Sequence, residues 1–350
     1  MASNVAVQKA HEWESLMGLA NETEFDTFVS PTYFLPKKGN QAIEDTTQLI
    51  KAETSYGALL PPQSGGDDFG LKKGSCKLPM PEIPLSANVS KLLAMILTKV
   101  ATTAFTGEWS HVMTLRNVVG NALSQDDAMS LCEPLAGQTV RSKLSGSRPV
   151  GFEITQEQGK FASMSVDFEG ATHSLDATAV SPSITLVAAC PFWKFSHLVF
   201  KVAAAAINIL SLKIAVKLKH TADDGLQPVG TAARTKIDLI GIDSIKVTVK
   251  RRYAKDATDT FQSKYREDYK SKTVRALQAA WTGPLIADVK HWLLQFDFTA
   301  ARIESEADCK RSETNGVITE DITWTITQPT SGEIITVTTQ DDSATPATKA

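Results

Sequence analysis

The chain has 350 residues, 42% of them hydrophobic and 21% charged, the balance of an ordinary globular protein with length for one large β domain or two smaller ones. A formal net charge of -3 gives no support for sequence-specific duplex binding or for anchoring on an anionic membrane. Four cysteines, Cys76, Cys132, Cys190 and Cys309, lie far apart without a C-x-x-C pair, which predicts free buried thiols in a reducing compartment.

The opening stretch MASNVAVQKAHEWE lacks the basic start and apolar run of a secretory signal, so cytoplasmic synthesis is expected and the sequons at Asn21 and Asn88 are read as chance matches. Residues 1–80 mix polar stretches with Pro and Gly and are read as an N-terminal arm containing a long loop at 58–78. Such a loop suits a segment that orders against a partner, and Pro61, Pro62, Asp67, Asp68 and Phe69 within it, with Tyr56 and Gly57 just before it, are candidate interface residues. A domain is expected over 81–340, with two halves meeting near residue 180, followed by a flexible tail at 341–350.

Val89, Leu92, Leu93, Ile96 and Val100 recur at helical spacing behind Ser86 and Ser90, predicting a helix over about 87–100. A short second helix is expected from Ser124 to before Pro134, with Asp126 and Asp127 in its first turn. A third is possible over 264–280, ended by Trp281-Thr-Gly-Pro. Between them, RPVGFEITQEQGKFASMSVDFEG (148–170) reads as a hairpin: Phe152 and Ile154 alternate with polar neighbours, Gly159 sits in the turn, and Met164, Val166 and Phe168 alternate again. Leu198–Leu210, with its run Ala203–Ala206, is ambiguous between strand and helix.

Later segments alternate too. Leu212, Ile214, Val216 and Leu218 oppose Lys213, Lys217 and Lys219, while Ile245, Val247 and Val249 oppose Lys246 and Lys250. Trp292, Leu294, Phe296 and Phe298 form one face, as do Ile322, Trp324 and Ile326, and the turn QPTSGE leads to Ile335 and Val337. Many half-buried strands with few helices predict a mainly β fold, a β-sandwich or open barrel with a flanking helix.

No chemistry-bearing motif is complete. Glu169, His173 and Asp176 are close in sequence, but a turn-side cluster of this kind is usually surface decoration. Asp pairs at 67–68, 126–127, 223–224 and 341–342 lack the spacing of a Ca²⁺ loop. Gly65, Gly66 and Gly70 before Lys72 and Lys73 do not make a nucleotide loop, and neither G-x-S-x-G nor H-E-x-x-H occurs. No catalytic, metal or cofactor site is expected. The basic run Lys246, Lys250, Arg251, Arg252 and Lys255 is read as a solvated strand face or an ion-paired subunit edge, and the first four are candidate interface residues.

The run SGSRPVGFEITQEQGKFASMSVDFEGA resembles the central segment of the tail tube proteins of long-tailed bacteriophages. IKAETSYGALLPP resembles the entry of many such proteins, and IDSIKVTVKRRY a later strand. The resemblance implies a virion structural protein without enzymatic activity, made in the host bacterial cytoplasm, whose subunits form rings, commonly hexameric. These rings stack into a channel for DNA ejection. Its implied partners are further copies of itself and other tail proteins (tape measure, terminator, baseplate), with double-stranded DNA passing without specific binding and no membrane. A passage for DNA should be acidic or neutral, so the face carrying Lys213, Lys217, Lys219, Lys246 and Lys250 is expected at a subunit interface opposite acidic residues, or outside. The alternatives are a related terminator or baseplate ring protein, or a β-sandwich module binding a carbohydrate or surface ligand, with Trp193, Trp281, Trp292 and Trp324 as stacking platforms unless they belong to the core.

Overall fold

A computed structural model describes residues 16–38, 43–46, 49–50, 68–69, 73–105, 107–115, 128–134, 141–176, 184, 186–187, 190–220, 239–252, 268–286, 290–305, 309–314 and 317–344. The fold is mainly β and antiparallel. The first elements are β1 (Leu16–Asn21), β2 (Tyr33–Pro36), β3 (Ile43–Asp45), β4 (Leu49–Ile50), β5 (Asp68–Phe69), β6 (Gly74–Met80), α1 (Ala87–Leu97), β7 (Thr98–Phe105), β8 (Glu108–Leu115) and β9 (Met129–Pro134). There follow β10 (Arg141–Glu157), β11 (Ser163–Gly170), β12 (Thr172–Asp176), β13 (Leu198–Val202), β14 (Ala205–Ile207), β15 (Ser211–His220) and β16 (Leu239–Arg252). The last are β17 (Arg275–Leu285), β18 (His291–Arg302), β19 (Cys309–Thr314), β20 (Val317–Ile326) and β21 (Ile335–Asp341).

The pairings resolve into two facing layers. One sheet runs β3-β6-β11-β10-β15-β16-β20-β19. The other runs β14-β13-β17-β18-β21-β8-β7. They join at one corner, where Ala301 and Arg302 of β18 pair with Ile326 and Thr325 of β20. Between the layers Phe152 meets Phe296 at 6.2 Å and Phe200 meets Trp324 at 6.1 Å between ring centroids. The buried Trp281 indole N–H donates to Gln156 Oε1 across the same gap, so the one polar group of that ring is satisfied.

The expected hairpin is present as β10–β11, with Phe152 opposite Val166, Ile154 opposite Met164, and Gly159 at φ +81 in the turn. Strand β10 is longer than the hairpin requires. Its first half pairs with β9 and β12, its second with β11 and β15. Two register shifts, at 144–147 and 149–151, and Gly146 at φ +59 re-aim it from the small sheet β2-β1-β9-β10-β12 into the large one. The small sheet is seated by Leu144, whose side chain fills the space over the paired glycines Gly74 and Gly170.

Helix α1 begins where Ser86 accepts the Asn88 N–H at 3.3 Å and buries Val89, Leu92, Leu93 and Ile96, as the spacing predicts. It stops at Leu97, three residues early, because the β-branched run Thr98, Val100, Thr102, Thr103 continues as strand β7. The expected second helix is corrected: Met129–Pro134 is a strand held between β1 and β10, while Ser124, Asp126 and Asp127 lie outside the described residues. The third is corrected as well, since only 268–271 is helical among the described residues and Trp281 lies inside β17. Leu198–Leu210 resolves as the hairpin β13–β14. The division at residue 80 does not follow the pairing, because β1, β2, β3 and β6 are sheet strands, and residues 74–78 of the expected loop belong to β6.

A Cβ on Gly170 would lie 2.5 Å from Leu144 Cγ and Cδ1. Gly170→Ala should therefore destabilise the fold by about 1–3 kcal/mol, read as a lowered denaturant midpoint with the slope unchanged.

Candidate functional site

The lysine face expected from alternation exists: Lys213, Lys217, Lys219 and Lys246 project from β15 and β16 away from the core, and Lys250 shares their side. Acidic residues of the same chain are interleaved with it. Lys213 Nζ lies 2.7 Å from Glu153 on β10, Lys77 Nζ lies 3.9 Å from Asp167 on β11, and Lys250 stands opposite Asp321 on β20. Lys160, with Lys250 adding to it, holds the Glu157 carboxyl below its usual range. The face is an exposed mosaic of both signs.

Period two separates the basic run. Arg252 is exposed, whereas Arg251 shares the side of Val247 and Val249, points inward and is 4% exposed. Its guanidinium donates to Glu320 Oε2 through Nε (3.2 Å) and Nη2 (3.1 Å), and Glu320 is 2% exposed. Arg251 therefore leaves the candidate interface: it is one half of a buried ion pair. Tyr56, Gly57, Pro61, Pro62, Asp67 and Lys255 lie outside the described residues, and the backbone of Asp68 and Phe69 pairs with Leu49 and Ile50.

The other candidates disperse. Asp176 accepts from Arg141 Nη2 (2.8 Å) and Lys143 Nζ (3.0 Å), His173 Nε2 meets Ser142 Oγ at 2.9 Å, and Glu169 lies on β11 beside Ser75. Trp193, Trp281, Trp292 and Trp324 are all buried, which makes them core rather than platform. Cys76, Cys132 and Cys190 are buried and free, and burial pushes the Cys76 and Cys132 thiols up. Among the described residues no group of three or more His, Cys, Asp or Glu side chains is placed to hold a metal, and no helix is long and apolar enough to cross a membrane.

One buried cluster is invisible in the sequence. The Glu22 carboxylate, 0% exposed, accepts from Ser130 Oγ (2.8 Å), Gly146 N (2.8 Å) and Asp26 N (2.9 Å), tying the end of β1 to β9 and to the kink of β10. Asp26, at φ 61, accepts from Ser145 Oγ (2.6 Å) and Thr172 Oγ1 (2.9 Å). Burial outweighs these donors and, with Asp26 adding to it, raises Glu22 to about 7.

The remaining feature lies at the sheet ends. The first large sheet ends in β3, with exposed Glu44 and Asp45, and in β19, whose sequence is CKRSET; charge along an edge opposes pairing with another chain. The second ends in β7 and β14. Strand β7, TKVATTAF, pairs with β8 through eight residues without a register shift and leaves 101–105 exposed, Phe105 at 41%. Strand β14, AAI, has no charge and exposed alanines. Between these ends the outer face is close to neutral, with Val199, Ala280, Gln295, Thr338, Val112 and Ala101 forming one row across six strands. Its central carboxylate, Asp297, accepts from Gln278 (2.7 Å) and Gln295 (2.6 Å).

Neither a scan against protein-family models nor a search of curated proteins finds a match to this chain.

Two predictions come from the buried charges. Arg251→Met should destabilise by about 3–5 kcal/mol, because it strands the Glu320 carboxylate, and adding Glu320→Leu should recover most of that loss in chemical denaturation. Glu22 binds its proton more tightly when folded, so its stabilisation is complete below the unfolded value of 4.5 and is lost as pH rises toward 7. Between about pH 5 and pH 8 the wild type should lose roughly 2–3 kcal/mol more unfolding free energy than Glu22→Gln.

Proposed function

We propose that the chain is a structural subunit that assembles with copies of itself into rings and stacked rings, the tube of a long-tailed bacteriophage tail. The observation that carries this reading is the second large sheet, whose two ends, β7 and β14, each have one strand partner among the described residues and lie at opposite sides of one layer. An open edge is an aggregation hazard unless another chain covers it. When one copy's first end meets the next copy's second end, the contact is heterologous and repeats, and it closes into a ring if the rotation allows. The sequence runs that resemble tail tube proteins supply the biological setting. In that setting the protein is made in the bacterial cytoplasm and becomes part of a virion. Its partners are its own copies and the other tail proteins, and DNA passes without specific binding.

The lysine mosaic is compatible with such a passage. Three of its cations, Lys77, Lys213 and Lys250, have carboxylates beside them, and the near-neutral face offers a polyanion few fixed partners.

Negative-stain electron microscopy and a sizing column over a range of concentrations, with and without preformed tail ends as seeds, test the assembly. Rings or tubes of uniform bore are the expected result, and Thr103→Lys, on the exposed β7 edge, should abolish them without changing Tm. A monomer under every condition, seeded or not, would overturn the reading.

A further inference from the structure

The hairpin β13–β14 ends in Ala203–Ala206, four successive exposed alanines. Ala203 (φ 48) and Ala204 (φ 67) form its two-residue turn, and both lie in the left-handed region that disfavours a side chain. A turn of this hand is ordinarily built from Asn-Gly or Gly-Gly, which relieve the strain. The turn is nonetheless held firmly: Val202 pairs with Ala205, and the Ala203 N–H donates to Ala276 O at 2.8 Å, extending the β13–β17 ladder to the tip. The strain therefore sits at a paired, exposed point, and among the described residues no side chain packs over it.

Alanine at such a point suits burial against another surface. Asparagine would bring an amide whose water must be removed, and glycine would bring backbone freedom lost on docking. A methyl group has neither cost, and it lets two backbones approach closely.

We propose that this tip is the reaching half of the contact between copies: the edge of β14 adds to the edge of β7 in a second copy, with the Ala203–Ala206 tip against Ala101–Ala104, short of Phe105, whose ring holds the Lys290 ammonium 4.3 Å from its centroid. This rests on the self-assembly reading above and names the two strands that meet. The choice of β7 follows from charge and length. Strand β3 exposes Glu44 and Asp45, β19 has a charged sequence, β12 carries Asp176 held by Arg141 and Lys143, and β2 is buried on all four residues beside α1, whose Asn88 Nδ2 donates to Phe34 O. Among the described sheet ends strand β7 remains as a long edge in unbroken register, with no charged residue over 101–105. A second copy is the occupant because both edges end the same sheet of the same chain, so one geometry satisfies every copy in turn.

The test uses full-length Ala205→Cys and Thr103→Cys, purified separately and treated with a short bismaleimide alone and as a mixture, with the wild type as control. The mixture should give covalent dimers at about tenfold or more the yield of either variant alone, as expected for thiols held together by a contact. Equal dimer yields from Ala205→Cys alone would mean tip meets tip and would overturn the proposal. So would a mixture without dimers under conditions where the wild type forms rings, which would leave the assembly reading standing. A wild type that never assembles removes that reading and this contact with it.

Discussion

Every other feature of this molecule depends on the contact between its two large sheets. Phe152 against Phe296, Phe200 against Trp324 and the Trp281–Gln156 hydrogen bond require each strand to send one set of side chains inward, and burial of those apolar surfaces is the principal stabilising term. Once the inward set is chosen, period two decides where every charge goes. Lysines at outward positions become a solvated mosaic, while charged residues at inward positions have to find a partner. Arg251 and Glu320 do so at the end of β16, and Lys37 and Glu133 do so with both side chains 0% exposed. Such pairs add little net stability, because desolvation consumes most of the attraction, but removing one partner is costly.

The same rule separates what was legible in the sequence from what was not. The β10–β11 hairpin and strands β15, β16, β18, β20 and β21 each have one apolar and one polar face, so alternation alone identifies them. Strand β9 lies between β1 and β10 with Met129–Glu133 all buried, so its alternation is erased and the capping-like Asp126 and Asp127 suggest a helix instead. Strand β17 does alternate through Leu277, Ala279 and Trp281, but its Ala-rich sequence carries helical propensity that two neighbouring strands override. Arg251 was legible in principle: it stands two residues after Val249, and only grouping by charge rather than by parity placed it with Lys250.

The candidate surface was legible least of all. Whether a strand lies inside a sheet or at its end is decided by the full set of partners, which no local pattern carries. TKVATTAF reads as a strand wherever it sits; what makes it an edge is that, among the described residues, it pairs with β8 alone. The alanines 203–206 showed an oddity without its meaning, because the left-handed turn that makes them strained is a property of backbone geometry. The Glu22 cluster is likewise assembled from residues more than a hundred positions apart.

The two layers thus differ in how they face outward, and that difference bears on assembly. A sheet continued from chain to chain must bury its edge side chains, and each charge buried there loses hydration that peptide hydrogen bonds do not restore. The first layer keeps its carboxylates and lysines on its face, and its end β3 exposes Glu44 and Asp45, charges that oppose pairing. The second layer presents mostly Thr, Ala, Gln and Val, with Lys99 at the start of β7 paired to Glu333, and Ala101–Ala104 and β14 carry no charge of their own. In the proposed ring, contact energy would come from backbone hydrogen bonds and close methyl packing, and discrimination from the geometry of the two ends. In that ring, concentrating charge on the first layer would keep a single copy from pairing there and leave one sheet for contact, without any segment having to do both.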